Sequence, residues 1–117
     1  MRKSLTREER LKSRTEFARV FKHADFRSSC HGARFIARSN NLTINRFAVT
    51  TVRKFGNAVQ RNYARRVLKE IYRNTKQDLP TGYDIIVVLY SGDYNYQERE
   101  QQFMKLIRRA NIAEADI

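Results

Sequence analysis

Cationic side chains recur along one stretch of this chain at the spacing of a helix face. From Arg61 onward they follow one another every four residues, and only Glu70 places an acid at their edge. Like charges at this spacing repel by roughly a few tenths of a kcal/mol per pair. A sequence that keeps such a stripe is expected to bind a polyanion through its phosphates, and plain solvation of the face is the alternative interpretation. The stripe consists of Arg61, Arg65, Lys69 and Arg73.

Side chains that could catalyse a reaction are not grouped in the sequence. Most acids stand at predicted helix starts or turns, where capping explains them. Asp84 and Asp93 flank a predicted strand at opposite ends, about 30 Å apart in extended chain. Cys30, His31 and His23 are too few for a zinc site, and no glycines have the G-x-G spacing of a phosphate loop. We therefore predict no catalytic residue, no metal site and no cofactor bound by the protein.

Composition narrows the classes of partner. The 24 Lys and Arg residues outnumber 12 Asp and Glu, which gives a net charge of +12 and favours a nucleic acid. The longest apolar run, Ile85 to Leu89, is far too short to span a membrane, and no secretory signal precedes it. A single cysteine cannot form an intrachain disulfide. We expect one cytoplasmic domain over residues 1–117, without a membrane or protein partner.

One long helix must position the cationic stripe. Asn57 is its expected N-cap, Gln60 completes a capping box, and the helix should end near Gln77. At about 100° per residue the apolar side chains fall on the other half, where they should pack on a core. These side chains are Val59, Tyr63, Ala64, Val67, Leu68 and Ile71.

The rest of the chain reads as an α+β domain in the order α-β-β-β-α-β-α, with roughly four strands in one sheet and helices packed on it. The second and third strands should pair as an antiparallel hairpin, and the fourth, a continuous apolar run, should be covered on both faces. The predicted elements are a basic arm over 1–12, a helix from the Ser13–Glu16 capping box to about Ala24, strands Phe26–Cys30, Arg34–Ser39, Arg46–Val52 and Tyr83–Tyr90, a helix from Asn95 to about Asn111, and a frayed tail over 113–117.

The first helix carries an apolar stripe of Phe17, Val20, Phe21 and Ala24 beside several cations. Such a stripe is usually core. Aromatic side chains beside cations are also what binding of a single-stranded nucleic acid requires, since bases stack on them. From the residues alone both interpretations stay open.

A motif that begins just before the long helix and continues into it adds a resemblance. Lys54-Phe55-Gly56-Asn57-Ala58-Val59, followed by Arg61-Asn62 and Arg65-Arg66, resembles the signature K-x-G-N-A-V-x-R-N-R-x-K-R of the bacterial ribonuclease P protein subunit. The chain departs from this signature at Tyr63, where an arginine is usual, and at Arg65, where a lysine is usual. The resemblance extends over roughly residues 8–112.

The resemblance implies a function in RNA processing. Ribonuclease P removes the 5′ leader of precursor tRNA by endonucleolytic hydrolysis, with magnesium required by its catalytic RNA. The partners would be that RNA and precursor tRNA, and the βαβ crossover would be left-handed. Contacts to the catalytic RNA would come from Arg53, Lys54, Asn57, Arg61, Asn62, Arg65, Arg66 and Lys69. A cleft for the leader would be lined by Phe17, Phe21, Phe35 and Arg38.

The rival prediction is a non-enzymatic RNA-binding protein such as a small ribosomal protein, whose size and charge would be equally suitable. Such a protein needs no cleft for a flexible strand. Only a ribonuclease P subunit should bind a tRNA with a leader in preference to the same tRNA without one.

Overall fold

A computed structural model describes residues 7–112. The expected element order and the α+β class are confirmed, and most boundaries fall within two residues of the prediction. The predicted N-terminal arm is described only from Arg7 on, and the tail at 113–117 lies outside the described residues. The elements are α1 Arg14–Lys22, β1 Phe26–Cys30, β2 Ala33–Ser39, β3 Arg46–Thr51, α2 Ala58–Thr75, β4 Tyr83–Leu89 and α3 Tyr96–Ala110, with short 3-10 helices at Arg7–Glu9 and Lys76–Asp78.

The strand order corrects one prediction. The four strands lie in the order β1-β2-β4-β3, so β2 and β3 do not form the expected hairpin. Instead β4 lies between them, antiparallel to β2 and parallel to β3. The continuous apolar run of β4 explains this placement, because a strand covered on both faces belongs in the middle of a sheet.

The segment between β2 and β3 passes around the start of β4. The Asn40 side chain donates to Asp84 Oδ1 at 3.0 Å, and its backbone N–H donates to Gly82 O at 2.8 Å. Asn45 donates to Pro80 O at 2.7 Å and accepts a hydrogen bond from Tyr83 N–H at 2.8 Å. What the sequence suggested to be a hairpin turn is therefore a bridge fastened to the strand that it crosses.

The two faces of the sheet differ in how they are covered. The closed face carries Phe35, Phe47, Ile85 and Val87, on which α2 and α3 pack in a cluster of 18 buried residues. Phe47 stacks on Tyr72 of α2 with ring centroids 4.0 Å apart. Most of the apolar burial of the domain, and therefore most of its hydrophobic stabilisation, lies on this face.

The open face carries the alternate residues of the same strands, including Ile36, Ala48, Ile86 and Val88. Its buried cluster has six members and is covered by α1 and by Leu11. The Leu11 N–H donates to Phe47 O at 3.1 Å, which fastens the segment before α1 along β3.

Helix α2 begins as predicted, with Asn57 and Gln60 forming a reciprocal capping box. Its apolar half was predicted correctly only in part. Ala64, Leu68 and Ile71 are buried, whereas Val59 is 77% exposed and Tyr63 55% exposed. The helix is covered by the rest of the domain only from Ala64 onward, so its first two turns present these two side chains to solvent.

Candidate RNA interface

Arg61 is built into the N-terminal end of α2. Its Nε donates to Gly56 O at 3.0 Å, Nη1 donates to Thr51 Oγ1 at 3.0 Å, and Nη2 donates to the carbonyl oxygen of Arg53. The side chain thus ties the end of β3 and the following turn to the helix. This predicted RNA contact therefore has a structural role as well, and fewer of its five N–H groups are left for a phosphate.

The other predicted RNA-binding residues lie on the surface around this helix start. Arg65 is half-buried and its Nη1 donates to Asn62 Oδ1 at 3.3 Å, while the rest are exposed. Within residues 7–112 none of these side chains forms a salt bridge. The exposed members of the set are Arg53, Lys54, Asn57, Asn62, Arg66 and Lys69.

Helix α1 leaves two aromatic rings accessible on the open face. Val20 is 1% exposed and anchors the helix, whereas Phe17 and Phe21 are half-buried at the edge of the cluster. Each ring therefore packs on the sheet with one side and meets solvent with the other, and contact of these rings with a nucleic acid stays a prediction.

Phe35, predicted to line the same cleft, is on the wrong face. Its side chain is fully buried on the closed face, 6.5 Å from the ring of Phe103 in α3. Side chains in a strand alternate between faces, so Phe35 and Arg38 cannot both face α1. Arg38 shares the open face with Ile36 and is half-buried, opposite Asp84 in the register.

Cations lie near the Phe17 ring in an arrangement that the sequence did not predict. A groove of about 440 Å³ runs from Phe17 to α2, and its walls include Arg10, Lys12, Lys69 and Arg73. It connects the Phe17 ring with the cationic side of α2. The position of Arg10 and Lys12 could not be read from the sequence, because it depends on the pairing of this segment with β3.

Arg34 lies on the open face as well and was not among the predicted cleft residues, although strand alternation places it on the same face as Ile36 and Arg38. It stands two residues before Ile36 in β2 and is half-buried. No hydrogen bond or ion pair engages its guanidinium within residues 7–112.

An ion-pair network fastens α1 to the sheet. The Arg46 guanidinium donates to both carboxylate oxygens of Asp84, at 2.7 and 2.6 Å, and to Glu16 of α1. The hydrogen bonds with Asp84 raise the pKa of Arg46, so the guanidinium stays charged. Glu16 is thereby diverted from the predicted capping box, of which only the half made by Ser13 forms. This network fixes the position of the rings that α1 carries.

The described residues contain no group of three or more His, Cys, Asp or Glu side chains that could hold a metal ion. Burial raises the pKa of the Cys30 thiol, which donates weakly toward Gln102 O. No helix within residues 7–112 is long and apolar enough to cross a bilayer. The arrangement is suited to binding a nucleic acid: accessible aromatic rings, unpaired cations and a helix N-terminus lie on connected surfaces.

Comparison with known proteins agrees with these features. A family model described as ribonuclease P matches residues 5–111. The ribonuclease P protein component of Thermotoga sp. strain RQ2 is 38% identical over 90 residues, covering 75% of this chain and 74% of that protein. The same component of Petrotoga mobilis is 34% identical over 110 residues, covering 88% and 92%. The solved RNase P protein from Thermotoga maritima has a TM-score of 0.77 at 27% identity, covering 86% of this chain and 96% of that one.

Proposed function

This chain belongs to the ribonuclease P protein family, and we propose that it works there by binding two RNAs on adjoining surfaces. Helix α2 and the turn before it would bind the catalytic RNA. The open face beside α1 would bind the 5′ leader of precursor tRNA. The cytoplasm, where precursor tRNA is made in bacteria, is the compartment that we propose.

Membership in the family makes this chain the protein subunit of ribonuclease P, with a function in tRNA processing. The prediction made from the signature motif is thereby confirmed. The ribosomal alternative is not favoured, because the family match extends over almost the whole chain.

Contact with the catalytic RNA is supported by the unpaired cations of α2. Two polyanions must approach each other in the ribonucleoprotein, and cations between them relieve the repulsion. Arg66 and Lys69 are exposed, and neither forms a salt bridge with an acidic side chain of residues 7–112, so both are available to bind phosphates. The capped N-terminus of α2 adds the positive end of a helix dipole to the same region.

One observation carries the leader-binding proposal: Phe17 and Phe21 are half-buried on a sheet face that also carries Arg34 and Arg38. A flexible single strand needs rings for its bases and cations for its backbone, and both are present here. A contact that only the precursor can make favours precursor over mature tRNA. The protein would in this way help its RNA partner to release product.

The chemical step is assigned to the RNA. We propose that RNA-bound magnesium activates the water that hydrolyses the phosphodiester bond, and that the protein's cations lower the magnesium concentration that the RNA requires. This chain contributes its binding surfaces to that reaction and no catalytic group.

Cleavage of a precursor tRNA at low magnesium tests this assignment directly. Protein alone, cognate catalytic RNA alone and the mixture are compared, and we expect cleavage in the mixture only. Cleavage by the protein alone would overturn the assignment of the chemistry to the RNA. A mixture no more active than the RNA alone would overturn the proposed function.

A further inference from the structure

An aromatic groove lies between the start of α2 and the loop that follows β4. Its volume is about 420 Å³, within the usual range of about 300–1,000 Å³ for ligand sites. It is distinct from the groove beside α1, because the two share no wall residue. We call it the aromatic groove, and its main wall residues are Phe55, Gln60, Tyr63, Asp93 and Tyr94.

Tyr63 presents a free ring to this groove. It is 55% exposed, and Val59 one turn earlier is 77% exposed. Within residues 7–112 the Tyr63 ring makes no aromatic contact and its hydroxyl no hydrogen bond. Exposed large apolar side chains that lie next to one another mark a surface that a partner covers.

Tyr94, on the other wall, is held rigidly. The Arg99 guanidinium lies 4.4 Å from its ring centroid, and that arginine is 3% exposed because its N–H groups donate to Gly32 O and Tyr90 O. A Cβ on Gly92 would lie 2.3 Å from Tyr94 Cε2, so the ring rests directly on that glycine. A ring fixed in this way loses little conformational entropy when a ligand stacks on it.

The polar groups of the groove select a base rather than a phosphate. Asp93 contributes a carboxylate, which repels a phosphate but accepts hydrogen bonds from the amino group of a base. Gln60 already accepts a hydrogen bond from Asn57 N–H, which leaves its Nε2 as a donor. Arg99 is committed to backbone carbonyls and to the Tyr94 ring. The planar rings of Tyr63 and Tyr94 can also stack on the face of a base.

We propose that the aromatic groove binds an unpaired base of the catalytic RNA. This inference rests on the proposed function and adds a second kind of contact to it. Arg66 follows Tyr63 by about one helical turn and Lys54 precedes Phe55, and both cations are exposed, so they are available for the phosphates beside the bound base. The signature motif usually has an arginine at position 63, which could contact a phosphate. In this chain Tyr63 would stack on a base instead.

A second copy of the chain is a poorer occupant. Two such surfaces would bring Arg66 and Lys54 of each copy together between proteins of net charge +12. Self-association is therefore an outcome that the test must detect and that would count against the proposal.

Fluorescence at the groove provides the first test. The chain has no tryptophan, so Tyr63→Trp introduces a single probe. Leu42→Trp is the matched control, because Leu42 is 48% exposed and lies in the bridge at the opposite end of β4. We expect the cognate catalytic RNA to quench Trp fluorescence in the first variant and leave the second nearly unchanged.

Three results would overturn the proposal. The first is equal quenching of both variants, or of neither. The second is quenching that requires precursor tRNA in addition to the catalytic RNA. The third is a signal that changes with protein concentration in the absence of RNA, which would indicate a second copy in the groove.

Affinity measurements at several salt concentrations provide the second test. Tyr63→Ala should weaken binding of the catalytic RNA about five- to 150-fold with an unchanged salt slope, because stacking is lost and no phosphate contact is removed. Tyr63→Phe should bind like the parent chain, and Tyr63→Arg should steepen the slope. Parental affinity of Tyr63→Ala would contradict the proposal.

The two proposals fail in different ways. If the mixture of protein and RNA cleaves precursor tRNA while both measurements on Tyr63 are negative, the groove assignment is wrong and the function stands. If the protein does not stimulate cleavage, the function itself is wrong, whatever the fluorescence shows.

Discussion

The two faces of the sheet are built from the same four strands but differ in how many residues are buried on them and in which helices cover them. The closed face buries 18 residues between the sheet and two helices. The open face buries six and is covered by one short helix. That helix is held at one end by Arg46, Glu16 and Asp84 and leaves Phe17 and Phe21 half-exposed.

This difference separates stability from binding. Alternation along a strand lets neighbouring residues serve opposite purposes, so Phe35 packs in the core while Ile36 and Arg38 face the other way. A ring on the closed face stabilises the fold, and a ring on the open face is available to a nucleic acid. Substituting chemically identical residues on the two faces is the direct way to test the distinction.

The largest effect is expected for a phenylalanine of the closed face. Phe103→Ala should lower the free energy of unfolding by about 3–5 kcal/mol, because it removes a fully buried ring and leaves a cavity in its place. The matched change Phe17→Ala should lower it by about 1 kcal/mol and should abolish most of the preference for tRNA with a leader. Urea denaturation and binding of tRNA with and without a leader measure the two quantities.

A smaller effect should follow from loosening α1. Asp84→Ala removes two hydrogen bonds from Arg46 and one from Asn40, and we expect a loss of about 1–3 kcal/mol in unfolding free energy. Glu16→Ala removes only the contact between Arg46 and α1, and should lower stability by about 1 kcal/mol or less. Both variants should weaken leader binding, since the rings lose their fixed position. Unchanged leader affinity in both would show that the network does not position α1.

The smallest effect on stability is expected for Lys69, on the cationic side of α2. Lys69→Ala should reduce the salt slope of RNA binding by about one unit and change stability by less than about 0.5 kcal/mol. Arg61→Ala should also weaken RNA binding and flatten the slope, but in addition should lower stability by about 1–2 kcal/mol, because three hydrogen bonds to Gly56, Thr51 and Arg53 are lost. Equal stability of the two variants would contradict the structural role of Arg61.

The sequence was sufficient for local structure. Capping pairs depend on residues three positions apart, and that of Asn57 with Gln60 forms as expected, as does an equivalent pair of Asn95 with Glu98. The Ser13–Glu16 box forms only in part, because Glu16 pairs with the distant Arg46. The helix and strand boundaries follow from similarly local patterns. The signature motif by itself indicated the family, which the match over residues 5–111 confirms.

What the sequence did not provide depends on distant contacts. The neighbours of β2 are decided by where β4 inserts, and no pattern within β2 records that. The exposure of Val59 and Tyr63 depends on which turns of α2 pack against the rest of the domain. The helical periodicity of the sequence predicts the apolar side of a helix but not how many of its turns are packed. Phe35 is a different case, because the sequence contained the information needed to place it. Strand alternation alone puts Phe35 and Arg38 on opposite faces of the sheet.

The bridge between β2 and β3 has a consequence for the way the chain reaches its native state. These two strands are consecutive in sequence, but in the sheet they are separated by β4, which is synthesised more than thirty residues after β3 begins. Among the described strands only β1 and β2 can pair through a short turn, and the pairing of β4 with β2 and β3 must wait for long-range contacts. During synthesis on the ribosome, β3 stays without a strand partner until α2 and β4 have both emerged, so the C-terminal third of the chain decides when the domain folds.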